Sequence, residues 1–238
     1  MRRTTPNCAR VAEEQRKLVA ALHRLDAVQV AALLEPFATA ERSARFRDVY
    51  AARLASVTVM MDAPHDPHNG AAVLRTCDAF GVQQLHVIER SESFLASRTV
   101  SRGSERWVDV ATYAKSSEAL AAVAASGHEL VATHPEGELL PEDLAAIPRL
   151  CLILGNERNG IEAELFAAAR RSVRIPMRGL AESLNVSVTA AILLDRATRN
   201  RCGDLDPGVR SRLYARALVL SVAHAPEILA ARGMKLDL

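Results

Sequence analysis

The sequence predicts an α/β protein: a parallel sheet with helices on both faces, and helical N- and C-terminal extensions. Three observations carry that reading. Short apolar runs alternate with helix-like stretches from Val57 to about Asn200, the order that builds parallel strands joined by crossover helices. The runs VTVMMD (57–62) and RLCLILGN (149–156) are apolar almost throughout, as strands covered on both faces must be. Aromatic residues make up 4% of a chain that is 49% hydrophobic, so its core must be built from Ala, Leu and Val. The predicted organisation is a helical N-terminal extension over 1–54, the α/β domain over 55–202, and a helical tail over 203–238.

Residues 1–44 begin polar; Leu18, Leu22, Leu25, Val30, Leu33 and Leu34 then recur at helical spacing until Pro36 interrupts it. A second helix is predicted from Ala40 to about Leu54, with Arg42, Arg45, Arg47 and Arg53 on its polar sides. Such a face is either solvated or turned towards RNA phosphates. In the α/β domain, VTVMMD leads into the loop APHDPHNG, a helix AAVLRTCDAFG closed by Gly81, and the strand QQLHVIE. Residues 106–113 can carry a short strand, and Ser117–Ser126 a helix ended by Gly127. HELVATHP reads as a strand, PEDLAAIP as a short helix, and RLCLILGN as a strand. A helix in GIEAELFAAARR, a strand in SVRIPM and a last helix from Asn185 to about Asn200 follow. Either Ser183 or Asn185 can open that last helix, since both side chains accept hydrogen bonds from first-turn N–H groups. A turn-rich break at 203–208 precedes a basic helical tail containing Pro226.

A net charge of +2 is too small to announce nucleic acid, but arginines cluster at 42–53 and 196–216. The four cysteines stand far apart with no C-x-x-C pair, so neither a disulfide framework nor structural zinc is expected. Cys77 and Cys151 lie in apolar runs and read as core residues. His65 and His68 have no third ligand cluster beside them, so no metal is expected. The charged N-terminus lacks the apolar core of a signal peptide, and no run approaches the roughly 18 apolar residues of a membrane span. A soluble, cytoplasmic protein is expected.

Three polar stretches fall at strand ends or helix starts, where ligands bind in open parallel sheets. They are Asn69 to Arg75, Gly155 to Gly160 around Glu157, and Ile175 to Ala191 with Ser183 and Asn185. Singly, each reads as a cap, a surface arginine or a turn. The Gly155–Gly160 stretch is not a P-loop, since no Gly-Lys-Ser/Thr follows, and the chain lacks the G-x-G-x-x-G of a dinucleotide fold, which argues against NAD and an ordinary Rossmann methyltransferase.

Together, in this order, the stretches resemble the SPOUT superfamily of RNA methyltransferases, and most closely its TrmH (SpoU) family. His68 to Gly81 is similar to HN-x-x-A-x-x-R-T-x-D-A-x-G, Gly155 to Ile161 to G-x-E-x-x-G-I, and Ile175 to Val188 to I-P-M-x-G-x-x-x-S-L-N-V-S-V. ATH at 132–134 and the G-S-x-x-W of Gly103 to Trp107 also match. The resemblance covers about Arg45 to Arg201 and leaves residues 1–44 unexplained. It implies a deep trefoil knot in the C-terminal part of the α/β domain, a homodimer, and S-adenosylmethionine bound at Thr133, Gly155, Ile175 and Leu184, largely by backbone groups. It implies methylation of an RNA ribose 2′-hydroxyl, with Asn69, Arg75, Glu157, Ser183 and Asn185 forming the site. Arg75 is the family's group for activating the hydroxyl; because a guanidinium pKa exceeds roughly 12, we assign it first to phosphate and ribose orientation. Arg42, Arg45, Arg47, Arg53, Arg199 and Arg201 are the expected RNA contacts. Members that act on rRNA usually carry a larger N-terminal domain, so tRNA, and guanosine 18 of its D-loop, is the expected substrate. An rRNA substrate and a non-catalytic RNA-binding protein are the alternatives.

Overall fold

The computed structural model describes residues 17–22, 24–89, 103–156 and 158–236. It divides into two compact units, Leu54–Cys202 and the pair Met1–Arg53 with Gly203–Leu238. In the second of these, residues 17–22 are helical and α1 spans Ala27–Leu34. Asp26 opens α1, its carboxylate accepting the Val28 and Gln29 N–H groups at 2.9 and 3.3 Å. Pro36 ends it in a single 3-10 turn, Glu35–Phe37, as the sequence suggests. Helix α2, Ala40–Ala52, is capped by Thr39 and stops two residues short of its predicted end, because Leu54 already pairs with Val82 in the sheet.

Among the described residues the α/β unit holds six strands: β1 Leu54–Asp62, β2 Val82–Ile88, β3 Asp109–Tyr113, β4 Glu129–Thr133, β5 Leu150–Leu154 and β6 Arg171–Val173. Four helices among the described residues connect and flank them: α3 Pro67–Ala79, α4 Ser116–Ala125, α5 Ala163–Ala168 and α6 Val186–Thr198. Every strand pairing is parallel, in the order β3-β2-β1-β5-β4-β6. Alternation along β1 explains its apolar run. Val57, Val59 and Met61 point towards Val73, Leu74 and Cys77 of α3 and Leu193 and Leu194 of α6. Met60 points the other way, into a cluster with Ala119 and Val123 of α4, Leu165 of α5, and Cys151 and Ile153 of β5. The predicted parallel sheet, covered on both faces, is the observed one.

Differences from the predicted elements are local. PEDLAAIP forms a 3-10 helix over Pro141–Ala146, and the helix expected over 160–171 is confined to α5, because Arg171 is drawn into β6 beside Val131. Strand β6 ends at Val173, before Ile175. Beyond β4, residues 134–139 fold back along β6: His134 N–H donates to the Val173 carbonyl and Leu139 N–H to that of Ser172. The two backbones run so close that a Cβ on Gly137 would lie 2.6 Å from the Val173 carbonyl carbon. Pro176, without an N–H, cannot extend the pairing.

The chain then returns to the helical unit through α7, Pro207–Ser221, and α8, Ala225–Ala230. Leu218, Val222 and Leu229 share one apolar cluster with Leu18, Leu22, Val30 and Leu34, so the N-terminal and C-terminal segments make a single core. Gly203 starts this return, where a Cβ would lie 1.7 Å from the Ala51 carbonyl oxygen; only glycine fits.

Candidate active site

A cleft of about 1000 Å³ opens at the C-terminal ends of β4, β5 and β6, where loops of a parallel sheet are free to receive a ligand. Thr133, Gly155, Ile175 and Leu184 all line it, as do Ser183 and Asn185. The expected cofactor residues and two of the expected catalytic residues therefore share one cavity. Its apolar wall includes Val173, Ile161 and Leu193.

The turn after β5 is closed on itself. Asn156 and Gly160 exchange backbone hydrogen bonds at 3.0 and 3.1 Å, and Asn156 Oδ1 accepts the N–H groups of Arg158 and Asn159. A Cβ on Gly155 would lie 2.5 Å from the Gly160 carbonyl carbon, and Gly160 itself has φ of +69°. The close approach that requires glycine at 155 is thus one of the turn's own backbone. Glu157, in the middle of this turn, lies outside the described residues.

Asn185, not Ser183, opens α6. Its Oδ1 accepts the Ser187 N–H at 2.8 Å and the Ser187 hydroxyl at 2.6 Å. Its Nδ2 donates to Asn69 Oδ1 at 3.0 Å, joining positions 116 residues apart in the chain. Asn69 stands inside α3 rather than before it: Asp66 is the cap, accepting the His68 N–H at 2.8 Å, and Pro67 takes the first helical position. Arg75 does not line the cleft. Six residues of α-helix turn through about 600°, which sets Arg75 about 120° round α3 from Asn69 and about 9 Å along it. Its side chain is exposed.

The sequence profile of the SpoU rRNA Methylase family matches residues 56–195. The chain belongs to that family. It is 34% identical over 161 residues to a tRNA (guanosine(18)-2'-O)-methyltransferase of Escherichia coli, an alignment that spans 67% of this chain and 70% of the relative. The fold resembles the A. aeolicus TrmH/SpoU tRNA modifying enzyme, with a TM-score of 0.69 and 28% identity over 76% of this chain and 97% of that one. It also resembles the SpoU methyltransferase AviRb of Streptomyces viridochromogenes in complex with AdoMet, with a TM-score of 0.57 and 27% identity over 63% and 60% of the two chains.

Within this SpoU chain the six arginines expected at RNA separate into four groups. Arg53 is only 2% exposed, which removes it from any RNA face. Arg201 is occupied by the fold: its guanidinium donates to the Ala197 and Pro148 carbonyls at 2.7 and 2.9 Å, and to those of Leu144 and Ile147. It serves carbonyls at the end of α6 and of the 3-10 segment instead of facing RNA. Arg47 and Arg199 are half-exposed but held, Arg47 by Glu35 and over the Tyr214 ring, Arg199 by Asp195 at 2.5 Å. Arg42 and Arg45 are exposed and have no ion-pair partner among the described residues.

Three further residues shape the site without having been singled out by the sequence: Asp66, Asn156 and Ser187. The pair Asp66-Pro67 is an ordinary helix-start signal and could have located the first. The roles of Asn156 and Ser187 depend on turn geometry, which spacing alone does not disclose. Among the described residues no three His, Cys, Asp or Glu side chains gather as a metal site, and no helix is long and apolar enough to cross a membrane.

Proposed function

We propose that this SpoU protein is a cytoplasmic, S-adenosylmethionine-dependent tRNA methyltransferase that forms 2′-O-methylguanosine at position 18 of the D-loop. The observation that carries the proposal is the Asn185–Asn69 hydrogen bond, which joins two motifs at the edge of the cofactor-sized cleft. The named substrate of the Escherichia coli relative supports the choice of RNA and nucleotide.

The cleft suits the cofactor. Apolar side chains of Val173, Ile161 and Leu193 can cover the faces of an adenine, and the irregular backbone at Gly155 and Ile175–Met177 can read its polar edge. Thr133, Gly155, Ile175 and Leu184 are the residues that would hold it. When bound, the cofactor would supply an electrophilic sulfonium methyl: the carbon–sulfur bond would break as the carbon–oxygen bond to the ribose forms, leaving S-adenosylhomocysteine, with the hydroxyl proton passing to solvent. Asn69 and Asn185 fix one another and present a rigid edge to that reaction. Ser183 shapes the turn over the cleft, and Glu157 belongs to the same constellation by its motif. Arg75 orients the phosphate and ribose and stabilises charge on the oxygen.

The separation of Arg75 from Asn69 on α3 supports a homodimer in which a second copy brings its own Arg75 to the cleft. Apolar side chains left open beside the site support the same reading: Leu180 is fully exposed, Val188 of α6 is 45% exposed, and Met177 and Leu184 are exposed too. Ala191 and Ile192, half-buried on α6, complete that face. The fold-back of 134–139 along β6 supports the deep trefoil knot. Arg42 and Arg45 supply phosphate contacts.

The test is methyl transfer from labelled cofactor to total tRNA and to rRNA, with nucleoside mapping of the product. Label in 2′-O-methylguanosine at position 18 supports the proposal; label confined to rRNA would replace the substrate, and no transfer would leave an RNA-binding protein. Sedimentation that gives only monomer at micromolar concentration would remove the shared site.

A further inference from the structure

One buried carboxylate near the cleft has no part in the chemistry above. Asp62, the last residue of β1, is 1% exposed, and its neighbour Met61 pairs with Leu154, the residue before Gly155. Asp62 Oδ2 accepts the backbone N–H of Glu162 at 2.6 Å, across 100 residues of sequence. The Glu162 carboxylate in turn accepts the Ser116 hydroxyl at 2.5 Å, so Glu162 is gripped through its backbone by β1 and through its side chain by α4. Directly after Asp62 the chain turns through Ala63, whose φ of 42° is left-handed and unfavourable for a residue with a Cβ. The Ala63 N–H is tied to the Ile88 carbonyl at 3.0 Å. Asp62 therefore stands where the chain leaves the sheet on its way to the first motif, and holds the point where the Gly155–Gly160 turn gives way to α5.

An apolar residue would fill that space without the desolvation of a polar acid, so an aspartate there calls for a reason. A carboxylate accepting a backbone N–H makes a stronger and shorter contact than a neutral acceptor. We propose that Asp62 is a positioning residue for methyl transfer: it fixes the Gly155–Gly160 turn, and with it the cofactor wall, relative to Asn69. This rests on the methyltransferase reading above, and the experiment separates the two.

The measurements are amide hydrogen exchange of the free protein, calorimetric binding of S-adenosylhomocysteine, and steady-state kinetics, for the parent, Asp62→Ala and Asp62→Asn. In Asp62→Ala, amides 158–163 should exchange about tenfold faster and homocysteine-product affinity should fall about tenfold, while the sheet strands keep their protection. The cofactor KM should rise with the tRNA KM unchanged. Asp62→Asn keeps an acceptor oxygen and should give a smaller change in the same direction. If Asp62→Ala does not fold, Asp62→Asn decides by the same measurements. Parent-like exchange at 158–163 overturns the proposal, and so does a uniform loss of protection with unchanged ligand affinity, which marks a plain stability role. A parent that transfers no methyl group overturns the methyltransferase reading instead, and the exchange measurement still judges the positioning role.

Discussion

The cleft and the arginine-bearing elements treat polar side chains in opposite ways. At the cleft, polar groups hold one another: Asn185 engages Ser187 and Asn69, and Asn156 caps its own turn. Arg42 and Arg45 on α2 are exposed, with no ion pair among the described residues. The contrast follows from the tasks proposed for the two regions. Transfer of a methyl group depends on reacting atoms held within a fraction of an ångström, whereas a phosphate contact gains its free energy from counterion release and tolerates a mobile side chain. Arginine residues can therefore be equally basic in sequence and differ wholly in surroundings, as Arg201 and Arg45 do.

Arg75 offers the strongest challenge to that division, because it is an exposed arginine assigned to the chemistry. Arg75→Ala should lower methyl transfer by about a hundredfold or more, while fold and S-adenosylhomocysteine affinity stay at parent values. Near-parent turnover would return it to the solvated surface. Arg201 marks the other extreme. Arg201→Met removes donors from the carbonyls of Ala197, Pro148, Leu144 and Ile147 and should lower stability by about 2–3 kcal/mol, read from the urea midpoint. RNA affinity of the folded protein should not change; a salt-dependent loss of RNA binding would show that Arg201 faces RNA after all.

Acid provides a control on both regions. Burial, and to a lesser degree the neighbouring His128, push His86 down to about 4, and its Nδ1 lies 2.8 Å from the Tyr113 hydroxyl. Between about pH 6.5 and 4 the unfolded chain binds a proton at this position and the folded chain does not, so stability falls as pH drops through that window. The loss between pH 7 and pH 5 should be about 2 kcal/mol. His86→Gln should flatten that dependence in urea titrations; an unchanged slope would assign acid sensitivity elsewhere. Any activity lost below pH 6 has to be compared with this loss of fold before it is ascribed to the cleft.

The order of strands and helices was legible because buried parallel strands leave continuous apolar runs, as in 57–62 and 150–154. The cavity residues were legible through the resemblance, since Thr133, Gly155, Ile175 and Leu184 stand at strand ends or in the loop before α6. What could not be read was partner choice. Arg53 and Arg201 look like Arg42 and Arg45 in sequence, and only the packing around them shows which are buried or occupied. The ends of α5 and β6 were missed for a related reason: Arg171 pairs beside Val131, and residues 134–139 hydrogen-bond to the β6 backbone, contacts made across some thirty to forty residues.

The smallest expected effect tests the exposed side of the comparison. If Arg42 and Arg45 each meet an RNA phosphate, each contact releases counterion, and log affinity should fall with log salt by about 0.7–0.9 per contact. The double substitution Arg42→Gln, Arg45→Gln should therefore weaken tRNA binding several-fold at low salt and flatten the slope by about 1.4–1.8, with S-adenosylhomocysteine affinity unchanged. Arg199→Gln is the internal comparison. Its guanidinium is already shared with Asp195, four residues earlier on the surface of α6, and such an exposed pair contributes only about 0–1 kcal/mol. RNA could displace it, but Asp195 would then be left as a repelling carboxylate beside the phosphate, so the slope change should be smaller than for either α2 arginine. A parent-like slope in the double variant would mean that α2 carries a solvated face and nothing more. The RNA path would then have to be sought on the α/β unit alone.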